Sequence, residues 1–420
     1  MLEIILASKI LDDVINKNIT FALSNHHQLD EQKLSLEDKK VVSSLAGCSL
    51  RHYCLFESIV NNSFPSLKDT ARFNLFNYLA NYLFVKRLNE KDVEKYILDF
   101  VNDGSLDKKS FSAFKEKLSN LDELVPEAKN KASFAYQSIR YNTPEWLVRM
   151  WHKHYDEGRF KALLSSNTRT PLPFYRVVGI DKESFLKANE QFLDSRFDNF
   201  VVAKPKENIK KSPLYLKQSI FKLSPAYDYI FDAVDVDPFR GVAVFGASTI
   251  APILIELLIR FGKNVEAEIL IDNAQTYFET KRLNNIFGMK NVNVYEAKSN
   301  EAITVLGKPV HTLFMIPENS SFSQFRISPD FYFSCKQENM DSYLEKQTEA
   351  LESLSLYVEE NGYLIYLIPT VSEKEGRRMI GKFLAKHKEF TLAKQKQFYP
   401  FDKYDTSLYF AVLQKGEKHD

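Results

Sequence analysis

From about residue 213 onward, short apolar runs alternate with runs of helical spacing, and this alternation constrains the fold more than any other feature. Strand-like runs lie at 242–245, 267–271, 292–295 and 310–316. A later helical run is followed by Gly362, which we expect to end that helix, and then by an apolar run at 363–368. The alternation predicts a doubly wound α/β sheet with helices on both faces.

The first third of the chain has a different pattern. From residue 1 to about 135, apolar residues recur at the helical period, and Gly and Pro are nearly absent. This predicts an all-α domain. The stretch 136–212 contains two Pro-rich motifs and an expected strand at 174–178. We therefore predict an all-α domain at 1–135, a small α/β linking module at 136–212 and a Rossmann-like domain at 213–420.

Composition excludes several classes of function. The chain has 56 Lys and Arg against 55 Asp and Glu, so any contact with nucleic acid must come from local basic patches. Only 13 of 420 residues are Gly, against roughly 7% in average usage. Loops that bind nucleotides need Gly for close backbone approach, so few such loops are expected. The absence of a G-x-G-x-x-G motif argues against a nicotinamide dehydrogenase.

Cysteine and histidine usage indicates neither disulfides nor a metal. The three cysteines (Cys48, Cys54 and Cys335) lack metal-ligand spacing and indicate a reducing compartment, and we expect Cys48 and Cys54 to pack rather than react. The histidine pairs His26-His27 and His152/His154 have no Cys or carboxylate nearby at the spacing of metal ligands. No signal peptide and no membrane-spanning run is expected, which predicts a cytoplasmic protein.

Several motifs, in their order along the chain, carry a family resemblance. They are Pro144-Glu145-Trp146-Leu147, Asn167, Pro171-x-Pro173-x-x-Arg176-Val177, and the passage from Arg282 to Val292. The chain resembles, over essentially its whole length, the RsmB/Sun family of rRNA cytosine-5 methyltransferases. The resemblance implies a NusB-like RNA-binding domain, a linking module, and an S-adenosylmethionine-dependent domain whose C-terminal strand is antiparallel.

The chain departs from the family where the cofactor binds. The stretch 244–252 corresponds to the Gly-rich cofactor loop but lacks its Asp, its paired Gly and its Lys. Gly246 still permits one close backbone approach. Asp272 stands where a carboxylate bonds the ribose hydroxyls, although a helix N-cap is an equally good interpretation. Lys298 replaces the acid that faces adenine. The resemblance implies S-adenosylmethionine as cofactor, and these departures weigh against its binding.

Both family cysteines are also replaced. The first falls on Asn319 and the second on Pro369. The family reaction needs a thiolate that attacks C6 of cytosine, and neither an amide nor a proline can form that adduct. We therefore assign no catalytic residue.

RNA is the partner that the resemblance implies, and basic residues are the candidates for phosphate contact. The candidates are Arg140, Arg149, Arg169, Arg176, Lys204, Lys206, Lys210 and Lys211, although the lysine cluster is also compatible with a solvated loop. We predict a monomeric homologue that binds ribosomal RNA and is inactive in cytosine-5 transfer. The alternatives are an active S-adenosylmethionine-dependent RNA methyltransferase with altered chemistry or target atom, and a scaffold without nucleic acid.

Overall fold

The computed structural model describes residues 1–30, 32–100, 106, 108–204 and 209–416, and it divides the chain into two compact units. The helical unit comprises Met1–Thr170 and Gln324–Gln337. The sheet unit comprises Pro171–Ser323 and the chain from Glu338 onward. The boundary at 170–171 falls inside the predicted linking module, and the three-part division stays a prediction.

The helical unit is built around one apolar core, as the periodicity of its sequence predicts. Its main helices are α1 (Leu2–Ile15), α2 (Phe21–Asp30), α3 (Leu36–Arg51), α4 (Tyr53–Ser63), α5 (Asp69–Ala80), α6 (Glu90–Phe100), α7 (Lys108–Lys117), α8 (Phe134–Tyr141), α9 (Glu145–His154) and α10 (Glu157–Asn167). A π-helical turn, Asn81–Val85, extends α5.

A buried Asn joins three helices of this unit. Asn142 follows α8 with a positive φ of 47°, a backbone conformation that Asn tolerates better than most residues. Its Nδ2 donates to the Leu50 carbonyl at 3.0 Å, and its Oδ1 accepts from the Cys54 amide at 3.0 Å. These backbone groups lie where α3 ends and α4 begins, and helix ends need such partners from outside the helix. Asn142, two residues before the Pro144–Leu147 motif, thus has a structural role.

The segment Gln324–Gln337 completes the helical unit although it is distant in sequence. Arg51 Nη1 donates to the Arg326 carbonyl at 3.0 Å, and the Phe21 amide donates to Asp330 at 2.8 Å. The Phe333 ring meets Tyr53 edge-on at 4.9 Å between centroids. Charged hydrogen bonds and aromatic packing therefore hold this returning segment in the unit.

His52 gives the helical unit a dependence on pH. Its ring stacks on Phe84 with centroids 4.2 Å apart. Burial, together with the charges of Arg140 and Arg51, lowers its pKa to about 4. The unfolded chain binds the proton near pH 6.5, so stability is lost as the pH falls from about 6.5 toward 4. We expect the free energy of unfolding to fall by about 2 kcal/mol between pH 7 and pH 4.5.

Urea unfolding followed by Trp fluorescence measures this effect, because both Trp residues of the chain lie in the helical unit. The His52→Phe variant should lose most of the acid sensitivity. The exposed His26 serves as the matched control, and His26→Gln should keep it. Equal acid sensitivity in His52→Phe and in the unsubstituted protein would contradict the role given to His52.

The sheet unit contains two sheets. The smaller one has the order β2-β3-β1-β4 and the larger one the order β10-β11-β9-β8-β5-β6-β7. The strands are β1 (Phe174–Val177), β2 (Phe192–Asp194), β3 (Phe200–Ala203), β4 (Ile220–Lys222), β5 (Val242–Gly246), β6 (Ala267–Ile271), β7 (Val292–Glu296), β8 (Val310–Ile316), β9 (Val358–Ile368), β10 (Phe390–Phe398) and β11 (Leu408–Lys415).

Helices connect these strands. They are α11 (Lys182–Ala188), α12 (Pro213–Leu216), α13 (Pro225–Phe231), α14 (Ala251–Phe261), α15 (Ala274–Phe287), α16 (Ala302–Leu306), α18 (Asn339–Ser355) and α19 (Arg377–Lys386), while the short α17 (Phe331–Ser334) belongs to the helical unit. None of the helices in the described ranges has the length and apolar character needed to cross a membrane.

The larger sheet confirms the predicted α/β class. Strands β5 to β9 pair in parallel, and β11 is antiparallel to both β9 and β10. Apolar side chains of the sheet contribute to two buried cores that include residues of the connecting helices. This is a Rossmann-like sheet with the expected antiparallel C-terminal strand.

The prediction for Gly362 is wrong. Helix α18 ends at Ser355, and Gly362 lies inside β9, where the pairing with β8 shifts register between Val310 and Thr312. A Cβ at Gly362 would lie 2.7 Å from the His311 carbonyl oxygen. The glycine is therefore explained by close strand approach at this irregularity and does not end the helix.

Candidate functional site

The candidate site lies at the carboxyl ends of the parallel strands. Gly246 aligns with Ile271 on one side and with Ile316 on the other, and Ile271 aligns with Glu296. The loops after β5, β6, β7 and β8 therefore leave the sheet at the same edge, where ligands bind in open α/β sheets.

The loop after β5 leads into α14, whose first N–H groups are engaged or missing. The Ala251 amide donates to Thr249 Oγ1 at 3.4 Å, and the amides of Ile253 and Leu254 both donate to the Ile250 carbonyl. Pro252 has no N–H. Anion binding at a helix start requires free N–H groups, so this helix offers little to the charged end of a cofactor.

Gly246 is buried beneath the same loop. A Cβ placed on Gly246 would lie 2.3 Å from Ile250 Cγ2 and 3.2 Å from the Ser248 carbonyl oxygen. The space beside this glycine is thus filled by the chain itself. The close backbone approach at Gly246 is therefore to Ile250, and the role of Gly246 as a cofactor contact stays a prediction.

Asp272, the other candidate, is exposed directly after β6. The alternative of a helix N-cap is wrong, because Asn273 caps α15 by accepting from the Thr276 amide at 2.8 Å. Asn273 also donates to the Ala247 carbonyl at 2.9 Å and so fixes the loop after β5. The Asp272 carboxylate makes no hydrogen bond to any described residue, which suits an acceptor for ribose hydroxyls.

Charges of both signs surround Asp272. Protein atoms near the carboxyl group displace water and raise the pKa of Asp272, although the side chain is exposed. The positive charges of Lys298 and Lys346 lower this pKa. Lys346 on α18 also pairs with Glu318, with Nζ 2.5 Å from Oε2. Lys298, at the end of the loop after β7, thus adds positive charge at this edge of the sheet.

Asn319 is a buried part of the loop after β8. Its Nδ2 donates to the Pro317 carbonyl at 2.9 Å, and its Oδ1 accepts from the Ser321 amide at 2.8 Å and the Ser321 hydroxyl at 3.0 Å. Ser321 has a positive φ of 51°. The Asn319 amide therefore stabilises an Asx turn, which is an ordinary role for Asn in a loop.

Glu375 connects the loop after β8 with the loop after β9. Its side chain is fully buried, and Oε1 accepts from the Ser320 amide at 2.8 Å and from Gln347 Nε2 at 3.0 Å. Oε2 lies 2.5 Å from Ser320 Oγ and 3.2 Å from Thr370 Oγ1. We call these four residues (Ser320, Gln347, Thr370 and Glu375) the Glu375 network.

Further hydrogen bonds extend the network into the sheet unit. Gln347 Nε2 also lies 3.0 Å from the Glu318 carbonyl, and Tyr366 donates to the Glu375 carbonyl at 2.8 Å. Pro369 accepts at its carbonyl from the Ser323 amide at 3.3 Å. The loops after β8 and β9 are thus joined by a buried carboxylate with a full set of donors.

The sequence carries one signal of this network, at Gln347. Gln347 lies on the buried face of α18, in line with Met340, Leu351 and Leu354. A polar side chain on such a face needs a buried partner. The identity of that partner, Glu375, could not be read from the pattern.

Arg176 is not available to RNA. On β1 its guanidinium side chain is 10% exposed and pairs with Asp228, and it lies 4.0 Å from the fully buried Glu256. Arg260 joins the cluster through Asp228 at 2.8 Å and Glu256 at 2.9 Å. The guanidinium is thus engaged with carboxylates in a largely buried cluster, which weighs against the predicted phosphate contact.

The other predicted RNA contacts divide between the two units. Arg140, Arg149 and Arg169 are exposed in the helical unit, where Arg149 pairs with Glu145 and lies over the Phe134 ring at 4.9 Å. Lys204 and Lys211 are exposed in the sheet unit. Lys206 and the side chain of Lys210 lie outside the described residues.

The three cysteines belong to the helical unit, whereas the loops after β8 and β9 belong to the sheet unit. Burial raises the pKa of Cys48 and Cys54 to about 12, which keeps both thiols protonated and agrees with packing roles. Cys335 belongs to the segment that packs into the helical unit. Across the described ranges, no group of three or more His, Cys, Asp or Glu could hold a metal ion.

Comparison with solved structures gives matches of low identity and high coverage. The crystal structure of PH0851 overlaps 99% of this chain and 98% of its own, at 16% identity and a TM-score of 0.76. NSun6 from Pyrococcus horikoshii, solved with SFG, covers 66% of this chain and 100% of its own (10% identity, TM-score 0.57).

A methyltransferase homologue protein from Pyrococcus horikoshii also covers 66% of this chain and 97% of its own, at 15% identity and a TM-score of 0.55. No protein-family profile and no curated protein matches the chain. At these identities the structural likeness shows the fold alone, and the overlap with PH0851 extends over nearly the entire chain.

Proposed function

We propose that this chain, which has the fold of the Sun-type rRNA methyltransferases, binds RNA and does not transfer methyl groups to cytosine C5. The observation that carries the proposal is the pair of residues in the loops after β8 and β9. Asn319 and Pro369 stand where the resemblance calls for two thiols.

The chemistry of the two residues supports the loss of transfer. Covalent attack at C6 of cytosine needs a nucleophile that can be activated, and a thiolate is the usual one. The Asn319 amide is engaged with Pro317 and Ser321, and Pro369 has no nucleophilic side chain. No other group in the Glu375 network has the nucleophilicity of a thiolate.

The proposed RNA contacts are the exposed basic residues. Arg140, Arg149 and Arg169 of the helical unit, and Lys204 and Lys211 of the sheet unit, carry charges that phosphates would neutralise. The resemblance supports a NusB-like helical unit, a ribosomal RNA target, a cytoplasmic location and a monomeric state. These four properties belong to the proposal, and Arg176 is not among the proposed RNA contacts.

Calorimetric titration with S-adenosylmethionine and S-adenosylhomocysteine, joined to a tritium-transfer assay on ribosomal RNA, tests the proposal. We expect no binding heat at millimolar ligand, no transfer, and RNA binding that weakens as salt rises. Transfer of label to cytosine C5 would overturn the proposal. Failure of the folded protein to bind RNA at low salt would also overturn it.

A second candidate is an RNA methyltransferase that modifies another atom, which needs no thiolate. The exposed Asp272 carboxylate favours it, because an acceptor at the end of β6 suits ribose hydroxyls. This candidate requires micromolar S-adenosylmethionine binding that is lost in Asp272→Ala. Binding heat that persists unchanged in Asp272→Ala would place the ligand elsewhere.

A further inference from the structure

The outer edge of the larger sheet carries a surface of lysines and aromatic rings. Strand β10 is at the end of the strand order, and it provides Lys394 and Lys396. The loop that follows provides Phe401 and Lys403. With Tyr229 and Tyr404, these residues form what we call the basic aromatic surface.

Shared rings hold the three ammonium groups close together. Lys394 and Lys396 both lie over Tyr229, with Nζ 4.9 Å and 4.2 Å from the ring centroid. Lys396 and Lys403 both lie over Tyr404, at 4.7 Å and 5.3 Å. Cation–π contacts therefore fix the positions of side chains that are ordinarily mobile.

The positive charge of this surface is largely uncompensated. Across the described ranges, Lys394, Lys396 and Lys403 form no ion pair. Asp402 lies near Lys396, and its carboxylate already accepts from the backbone amides of Tyr399 at 2.9 Å and Tyr404 at 2.8 Å. Three cations held close together create a local positive potential although the whole chain is nearly neutral.

An exposed ring lies in the same loop. Phe401 is 41% exposed, and it stacks on Tyr399 with centroids 5.0 Å apart and an angle of 14° between planes. An aromatic face supported from behind by a second ring is the kind of platform on which an unpaired base stacks.

We propose that the basic aromatic surface binds single-stranded RNA, with the three lysines on successive phosphates and a base stacked on Phe401. Duplex RNA keeps its bases stacked inside the helix and offers no face to Phe401, so it fits less well. The proposal rests on the proposed function only in requiring that the chain binds RNA. Its contacts are separate from the basic residues named there.

Fluorescence anisotropy with a labelled oligouridine of about twelve nucleotides tests the proposal over a range of salt. The variant Lys394→Gln/Lys396→Gln/Lys403→Gln should weaken binding ~tenfold or more and reduce the salt slope by about 2, since each phosphate contributes about 0.7. Phe401→Leu should weaken binding by roughly tenfold with an unchanged slope.

Matched controls remove the same charge and ring elsewhere on the sheet unit. Lys263, Lys290 and Lys308 are exposed just before β6, β7 and β8, at the opposite edge from the candidate site, and Phe239 is 97% exposed. The triple Gln variant of these lysines and Phe239→Leu should bind like the unsubstituted protein. Thermal melts of all variants confirm folding.

The outcomes separate the two proposals. If the unsubstituted protein binds RNA and the lysine triple variant binds equally well, this surface is not an RNA site and the proposed function stands. If the unsubstituted protein binds no RNA, both proposals fail. Polyglutamate that binds as tightly as RNA and is insensitive to Phe401→Leu would identify a surface for acidic protein segments and overturn the assignment to RNA.

Discussion

Replacing Glu375 with alanine is expected to lower the free energy of unfolding of the sheet unit by about 4 kcal/mol. The substitution leaves the Ser320 amide and Gln347 Nε2 buried without their acceptor. Each buried donor without a partner costs about 1–3 kcal/mol, and hydrogen bonds to a charged acceptor are at the upper end. The hydroxyls of Ser320 and Thr370 can rotate toward each other, so they add little.

Chemical denaturation followed by far-UV circular dichroism measures the loss, while Trp fluorescence follows the helical unit separately. Glu349 is an exposed residue on α18, and Glu349→Ala should change stability by less than about 0.5 kcal/mol. Glu375→Gln should lie between the two, because an amide keeps one acceptor and adds a donor. An alanine variant as stable as the control would show that the network contributes nothing.

The Asx turn at Asn319 limits what a cysteine placed at this position would achieve. Asn319→Cys replaces the acceptor for the Ser321 amide, and Ser321 has a positive φ that the Asx turn supports. A cysteine there changes the loop in addition to supplying sulfur. The residues of this loop therefore support one another structurally, and Asn319→Cys alone would not leave the loop after β8 unchanged.

The sequence predicts the sheet well because its signal is local. The strands at 242–246, 267–271 and 310–316 are apolar runs of ordinary strand length, and Asn319 and Pro369 lie in the loops that follow β8 and β9, as expected. Such features depend on near neighbours in sequence. Gly362 shows the limit, since the irregular pairing of β8 with β9 is a contact between distant residues.

Side-chain roles are harder to predict because partners lie far away along the chain. Gln347 and Glu375 are 28 residues apart, and Arg176 and Asp228 are 52 apart. The sequence alone is compatible with either a surface contact or a buried ion pair for a basic residue on a short strand. Only the folded structure shows which partner lies beside it. For the same reason, the sequence did not predict that Lys394 and Lys396 lie over the ring of Tyr229.

Replacing Arg176 with alanine is expected to lower the free energy of unfolding by about 3 kcal/mol, because the fully buried Glu256 loses one of its two neighbouring guanidinium groups and keeps only Arg260. Arg196 is exposed on the same unit, and Arg196→Ala should have an effect below about 0.5 kcal/mol. RNA affinity measured on folded protein should be unchanged in Arg176→Ala. A selective loss of RNA binding with normal stability would return Arg176 to the phosphate contacts.

The loss in Arg176→Ala should also depend on pH in a defined direction. Burial raises the pKa of Glu256, and the charges of Arg176 and Arg260 oppose the rise. Without Arg176 the folded-state pKa rises further above that of the unfolded chain, so the folded state binds the extra proton. The free energy of unfolding of the variant then falls as the pH rises through the folded-state pKa of Glu256. The free energies of unfolding of the variant and of the unsubstituted protein should therefore differ less at pH 5 than at pH 8. Adding Glu256→Gln should remove this pH dependence and recover part of the stability, and a loss that is equal at both pH values would exclude Glu256 as its cause.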